Sequence, residues 1–196
     1  DYHFVYHGSS LEIGEAAQHL DSFDVATDAT YGDEPLPLEA TATSGLPVSF
    51  SSSNPEVLEV NGTRLNVRGA GTATITAHQP GDANFFGAAD LNATVTVATA
   101  DLQVIAHPAS KAYLDENPEL SFHYEGFVNG ESASVLDQEP TVSTTATKAS
   151  VAGTYDVNAT GGSDDDYHFV YHGSSLEIGE AAQTITFNQH LNDIVF

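Results

Sequence analysis

The chain has 196 residues, with 28 Asp and Glu against 4 Lys and Arg, a formal net charge of -24, and no Cys, Met or Trp. Arg64, Arg68, Lys111 and Lys148 are its only fixed cations, too few to neutralise a phosphate backbone or to hold an anionic bilayer, so nucleic acid and membrane insertion by this segment are excluded. Without cysteine there is neither a disulfide framework nor a thiolate site, while 40% hydrophobic residues suffice for one or two small cores.

In chain order, the first observation is a repeat. Asp1 to Gln18, DYHFVYHGSSLEIGEAAQ, recurs without a change at Asp166 to Gln183. Residues 1–18 are therefore expected to be the closing strand segment of a preceding module, with Tyr2, Phe4 and Tyr6 on the face that assembles, as Tyr167, Phe169 and Tyr171 are in the second copy. An unpaired apolar strand is an aggregation hazard, so this segment is expected to pair with a preceding module in cis, or with another subunit by strand addition. His3 and His7, and their copies His168 and His172, alternate with these aromatics. Four residues along a strand place each pair about 13 Å apart, too far for one zinc with bonds of about 2.0 to 2.1 Å, so no metal is assigned to them.

Residues 19–99 read as a first sandwich. Period-two alternation and β-branched content predict strands at Val48–Ser51, Arg64–Arg68, Thr72–Ala77 and Ala93–Val97, with turns at Ser53-Asn-Pro55, Asn61-Gly62, Gly69-Ala-Gly71 and Pro80-Gly-Asp82. Residues 100–181 read as a second, with strands at Leu102–Ala106, Gly153–Asn158 and Tyr167–Tyr171 and turns at Asn129-Gly130 and Gly161-Gly162. A weaker internal echo supports the division: Tyr31-Gly-Asp-Glu-Pro-Leu-Pro-Leu38 and Tyr113-Leu-Asp-Glu-Asn-Pro-Glu-Leu120 keep Tyr, Asp, Glu and Leu at one spacing. Residues 182–196 are expected to start the next module, with Asp193 opposite Asp28 and Phe196 opposite Tyr31. Helical periodicity is absent, and the fold class is all-β, tandem immunoglobulin-like β-sandwiches. Phe50, Leu65, Ile75, Phe122, Tyr155 and Phe169 are the expected core. Val95 to Val104 crosses from one module to the next without Gly or Pro, which predicts a stiff joint rather than a flexible tether.

The segment SGLPVSFSSSNPEVLEVNGTRLNVRGAGTATITAHQPGDANFFGAADLNATVTV, Ser44 to Val97, resembles the bacterial Ig-like (Big-type) repeats of large surface proteins. The second half, with Tyr113, Glu125-Gly-Phe-Val-Asn-Gly-Glu131, Thr141-Val-Ser-Thr-Thr-Ala146 and Gly153-Thr-Tyr155, is similar to the MBG domain type. The resemblance implies repetitive extracellular proteins, at a cell surface or in a secreted fibre, whose sandwiches extend an adhesive tip or form the fibre itself; it carries no catalytic residues.

Site candidates are few. Asp164, Asp165 and Asp166 follow a Gly-Gly-Ser turn and make Ca2+ the one cofactor left open, with Asp82, Asp115 and Glu116 as further oxygen donors; no DxDxDG loop is present. Asn61, Asn92 and Asn158 each open an N-x-Thr glycosylation sequon. No GxSxG, HExxH, P-loop or dinucleotide turn occurs, so no enzyme is expected. The expected function is a structural repeat of an extracellular filament or adhesin stalk whose partners are neighbouring copies. The alternative is a glycan- or protein-binding adhesion module gripping its ligand through Phe85-Phe86.

Overall fold

The structure, a computed structural model, describes residues 1–4 and 8–186. Tyr6 and His7, and most of the expected next module from 187 onward, lie outside the described residues. Two compact units are present: unit 1 comprises Asp1–Ala100 together with Asp165–Tyr167, and unit 2 comprises Asp101–Asp164 together with His168–Phe196.

Unit 1 is built from β1 (Leu20–Asp24), β2 (Asp28–Thr30), β3 (Leu36–Pro37), β4 (Glu39–Ala42), β5 (Ser49–Ser52), β6 (Leu58–Asn61), β7 (Arg64–Val67), β8 (Gly71–His78) and β9 (Leu91–Ala98). They form a sheet in the order β2-β9-β8-β5, a sheet β3-β7-β6, and a β1-β4 pair. The long hairpin β8–β9, in register from Gly71 opposite Val97 to Ala77 opposite Leu91, shows the alternation that specifies it. Ala73, Ile75 and Ala77 on one strand and Val95 and Val97 on the other are buried, with threonines and asparagine between them facing out. Leu58 and Leu65 from the β6–β7 hairpin are buried completely, and that hairpin turns on Gly62 at φ 62, a conformation glycine adopts without cost. A second cluster joins Leu20, Ala42 and Ala77 to Phe23 and Phe50, whose rings stack at 6.0 Å.

Unit 2 contains β10 (Ala100–Ala106, whose first residue belongs to unit 1), β11 (Ala109–Ala112), β12 (Phe122–Glu125), a 3-10 turn (Ala133–Val135), β13 (Thr141–Thr144), β14 (Gly153–Thr160), β15 (Tyr167–His172) and β16 (Ser174–Gly179). The sheets run β12-β10-β15 and β11-β16-β14-β13. Leu102 and Val104 from one sheet, and Val157, Leu176 and Ile178 from the other, are buried to 2% exposure or less. Each fully buried side chain of this size contributes about 1.5–3 kcal/mol.

The chain is thus all-β, a pair of immunoglobulin-like sandwiches. Two expectations about its core need correction. Leu65 and Ile75 are buried as expected, but Phe50, Phe122, Tyr155 and Phe169 are only half-buried; Phe50 and Tyr155 pack against clusters of buried aliphatic residues instead of forming them. The aromatics of β15 do not all line the module that ends there: Tyr167 is buried in unit 1, and Tyr171 is 39% exposed, its hydroxyl donating to the Gly161 carbonyl.

Candidate assembly site

The echo around Tyr31 and Tyr113 is one backbone device used twice. In unit 1, β2 pairs parallel with β9, Thr30 opposite Ala98, and the next N–H, that of Tyr31, donates to the Ala98 carbonyl at 2.8 Å. In unit 2, β11 pairs parallel with β16, Ala112 opposite Gly179, and the Tyr113 N–H donates to the Gly179 carbonyl at 2.9 Å. Both chains then turn, Asp33 N–H to Thr30 carbonyl at 3.0 Å and Asp115 N–H to Ala112 carbonyl at 3.1 Å. The third turn position has positive φ in each, 94 at Gly32 and 69 at Leu114, which a turn of this type requires. Opposite lies a second shared element, Ala70-Gly71-Thr72 in unit 1 and Ala152-Gly153-Thr154 in unit 2, each leading into an eight-residue strand.

In unit 1 this corner is covered. The Tyr167 ring meets Tyr31 edge-on, centroids 5.5 Å apart, and both rings are buried. The Ala70 N–H donates to the Asp166 carboxylate at 2.6 Å, and the Ala100 N–H to the Asp166 carbonyl at 2.9 Å. A β-carbon on Gly69 would stand 3.0 Å from the Glu56 carbonyl oxygen and 3.1 Å from Oδ1 of Asp166, so glycine leaves the carboxylate its room. Asp166 is therefore committed to closing the corner.

A matching arrangement lies elsewhere in unit 1, at the end of the first copy of the repeated segment. The Ala16 N–H donates to the Asn84 carbonyl at 2.7 Å and the Phe86 N–H to the Ala16 carbonyl at 3.0 Å. The amide of Gln18 donates to Oε1 of Gln79 at 2.6 Å and to the Phe86 carbonyl at 2.7 Å, while the Ser44 hydroxyl donates to Gln18. Gln79, 3% exposed, also accepts from the Gly81 N–H at 2.6 Å. The receiving loop is pre-shaped: Asp82 Oδ1 accepts from the N–H groups of Asn84 (2.8 Å) and Phe85 (3.0 Å), and the Asp82 N–H donates to the Phe85 carbonyl at 2.9 Å. Ala16 and Ala100 thus do the same work, each offering its N–H to the carbonyl just before an aromatic residue, Phe85 or Tyr167.

The remaining sequence candidates do not converge. Among the described residues no group of three or more His, Asp or Glu is placed to hold a metal ion. Asp165 is exposed, Asp82 and Asp166 accept backbone N–H groups, and Glu116 receives Lys148 at 2.6 Å; that hydrogen bond and the lysine charge hold the Glu116 carboxyl below its usual range. Asn61, Asn92 and Asn158 are all exposed, with Oδ1 of Asn92 accepting from Thr76 at 2.6 Å. His168 and His172 each meet a neighbour on β10, Asp101 at 3.0 Å and Gln103 at 2.5 Å. Sequence reasoning missed the stacked His107, just after β10, and His123 of β12, joined ring nitrogen to ring nitrogen at 2.8 Å; only the strand register brings them together. Phe85 is half-buried and Phe86 56% exposed.

Residues 102–177 match the family model of the MBG domain (YGX type), consistent with an MBG-type repeat domain over that stretch. No curated protein matches the sequence. Among solved structures, Drosophila N-cadherin EC1-4 is 8% identical with a TM-score of 0.35, over 86% of this chain and 50% of that one. The S-layer protein SbsC is 14% identical with a TM-score of 0.30, over 84% and 28%. The Clostridium thermocellum CbhA fibronectin(III)-like modules are 13% identical with a TM-score of 0.29, over 88% and 100%. The chain spans half the length of the cadherin fragment. Among the described residues no helix is long and apolar enough to cross a membrane.

Proposed function

We propose that this chain is a non-catalytic structural repeat of an extracellular filament or adhesin stalk, assembled by docking the end of one module onto the next. The observation that carries the reading is the placement of Ala16 and Gln18. These two residues, present again without change as Ala181 and Gln183, are bonded into the Asn84–Phe86 loop of unit 1. A segment that both ends one module and is built into another is what a tandem array requires. Thr99 alone separates β9 from β10, which supports a short strand-built connection over a Gly/Ser tether.

The test is electron microscopy of the native material. An axial period matching one two-module repeat supports the reading. Single strings ending in a distinct head would leave this segment a spacer and place the activity in that head. Glycan arrays address the rival: reproducible binding lost in Phe86→Ala would replace docking with recognition as the role of the DANFF loop.

A further inference from the structure

Unit 2 carries a counterpart of the closed Tyr31 corner that lies open. The residues equivalent to Tyr31, Gly32, Gly69, Ala70 and Ala100 are Tyr113, Leu114, Val151, Ala152 and Ala181, and these line a groove of about 800 Å³. Tyr113 is 36%, Leu114 51% and Val151 67% exposed, a cluster of apolar surface on a chain of net charge -24. Among the described residues the Ala181 N–H meets no acceptor, whereas its equivalent Ala100 donates to Asp166 and its identical copy Ala16 donates to Asn84.

Those two donations identify the occupant. Since Ala16 and Ala181 stand at the same position of an unchanged segment, the carbonyl that Ala181 needs is that of Asn84 in a following module. We propose that the groove receives the Asn84–Phe86 loop of a second copy of this chain following in series, so that Phe85 of that copy meets Tyr113 as Tyr167 meets Tyr31. The proposal rests on the repeat reading and specifies its contact. The substitutions on the two sides agree. Val151 stands at the position of Gly69, where a β-carbon lies 3.1 Å from the Asp166 carboxylate, so the unit 2 corner presents an apolar side chain in place of that opening. The incoming loop correspondingly carries neutral Asn84 in place of Asp166, and Phe86 in place of His168.

A chain in which residues 19–196 follow Gln183 directly sets two copies in series through the native joint sequence, and the absence of cysteine makes any introduced pair unique. The β-carbon built at Gly69 lies 3.1 Å from Oδ1 of Asp166, so Val151→Cys in the first copy and Asn84→Cys in the second take the two positions that face each other across the proposed contact. Under mild oxidation this pair is expected to close at least about tenfold faster than the control pair Val151→Cys with Ala89→Cys, by effective concentration. Equal rates overturn the proposal. In the cysteine-free tandem chain, nuclear Overhauser contacts are expected between the Tyr113 ring and the second copy's Phe85; a folded tandem chain without them also overturns it. Microscopy of the native material stays independent: a periodic fibre combined with equal closure rates would reject this contact and leave the array standing.

Discussion

Leu11 and Leu176 hold the same place in an identical 18-residue segment, yet Leu176 is fully buried in unit 2 while Leu11 is 86% exposed. Ile13 and Ile178 repeat the contrast at 89% and 2%. In the second copy the segment forms β15, beside β10, and β16, between β11 and β14; in the first, residues 8–15 form no strand. The segment is buried only where neighbouring strands of this chain meet it, because a strand's hydrogen bonds and buried face come from its neighbours.

Removing residues 1–14 is therefore expected to leave the unfolding midpoint unchanged, whereas removal through Gln18 costs about 2–4 kcal/mol, from several hydrogen bonds at about 0.5–1.5 kcal/mol each. Urea titration of the two truncations decides it. A matching loss in both would place the stabilising contacts upstream of Ala16.

Asp166→Ala orphans the Ala70 N–H and is expected to destabilise unit 1 by about 1.5–3 kcal/mol, the range for a hydrogen bond to a charged group. Hydrogen exchange at Ala70 should accelerate while Val157 in unit 2 keeps its protection. Loss of protection in both units alike would contradict a local role.

Gly81 and Gly45 both have positive φ, 84 and 76, but a β-carbon on Gly81 would lie 2.3 Å from the Phe85 carbonyl oxygen, and one on Gly45 meets nothing within 4 Å. Gly45→Ala should cost about 1 kcal/mol for left-handed backbone alone. Gly81→Ala should cost more than about 2 kcal/mol and free the Asn84–Phe86 loop. Circular-dichroism melts of the pair suffice, and equal costs would remove the loop's steric basis.

The Tyr124 hydroxyl is buried with no partner among the described residues, between the edge-on rings of Phe122 and Phe127. Burial, then the charges of Glu139 and Tyr171, push its pKa up to about 12 from 10.0. The unfolded chain ionises first, so the stability linked to this group is intact below pH 10 and declines as pH rises toward about 12. Tyr124→Phe should stabilise by about 1 kcal/mol at neutral pH, by removing an unsatisfied hydroxyl, and should flatten the alkaline decline. Unfolding curves from pH 8 to 12 would expose the opposite sign directly.

With a net charge of -24, the folded chain repels itself. Raising NaCl from about 0.01 to 1 M, which cuts the Debye length from about 30 to 3 Å, is expected to raise the melting temperature. A fall would mean that ion pairs such as Arg68–Glu59, 2.5 Å, outweigh the repulsion.

Much of the fold was legible before any coordinates. Seven predicted strands fall within or overlap β5, β7, β8, β9, β10, β14 and β15, because each carries several turns of alternation that only a half-buried strand satisfies. The short β2 and β3 had too few residues for a period to emerge, and β1, β4, β6, β11, β12, β13 and β16 went unpredicted although they are no shorter than β5 and β7. Of the candidate site, the 18-residue identity and the Tyr31/Tyr113 echo were visible as patterns without a role. Phe85-Phe86 was visible as an apolar loop, but nothing in one dimension connects it to Ala16.

By itself the sequence determined the all-β class and the identity of the repeated segment, since period and self-similarity are properties of the chain alone. Only tertiary structure decided that the segment's end is bonded into a loop almost seventy residues away, that Asp166 closes a corner instead of standing in a solvated turn, and that Tyr113 lies open where Tyr31 is covered. The physical reason is the same in each case: a backbone N–H or a ring face has no preference for a distant residue until the sheets have fixed both in place.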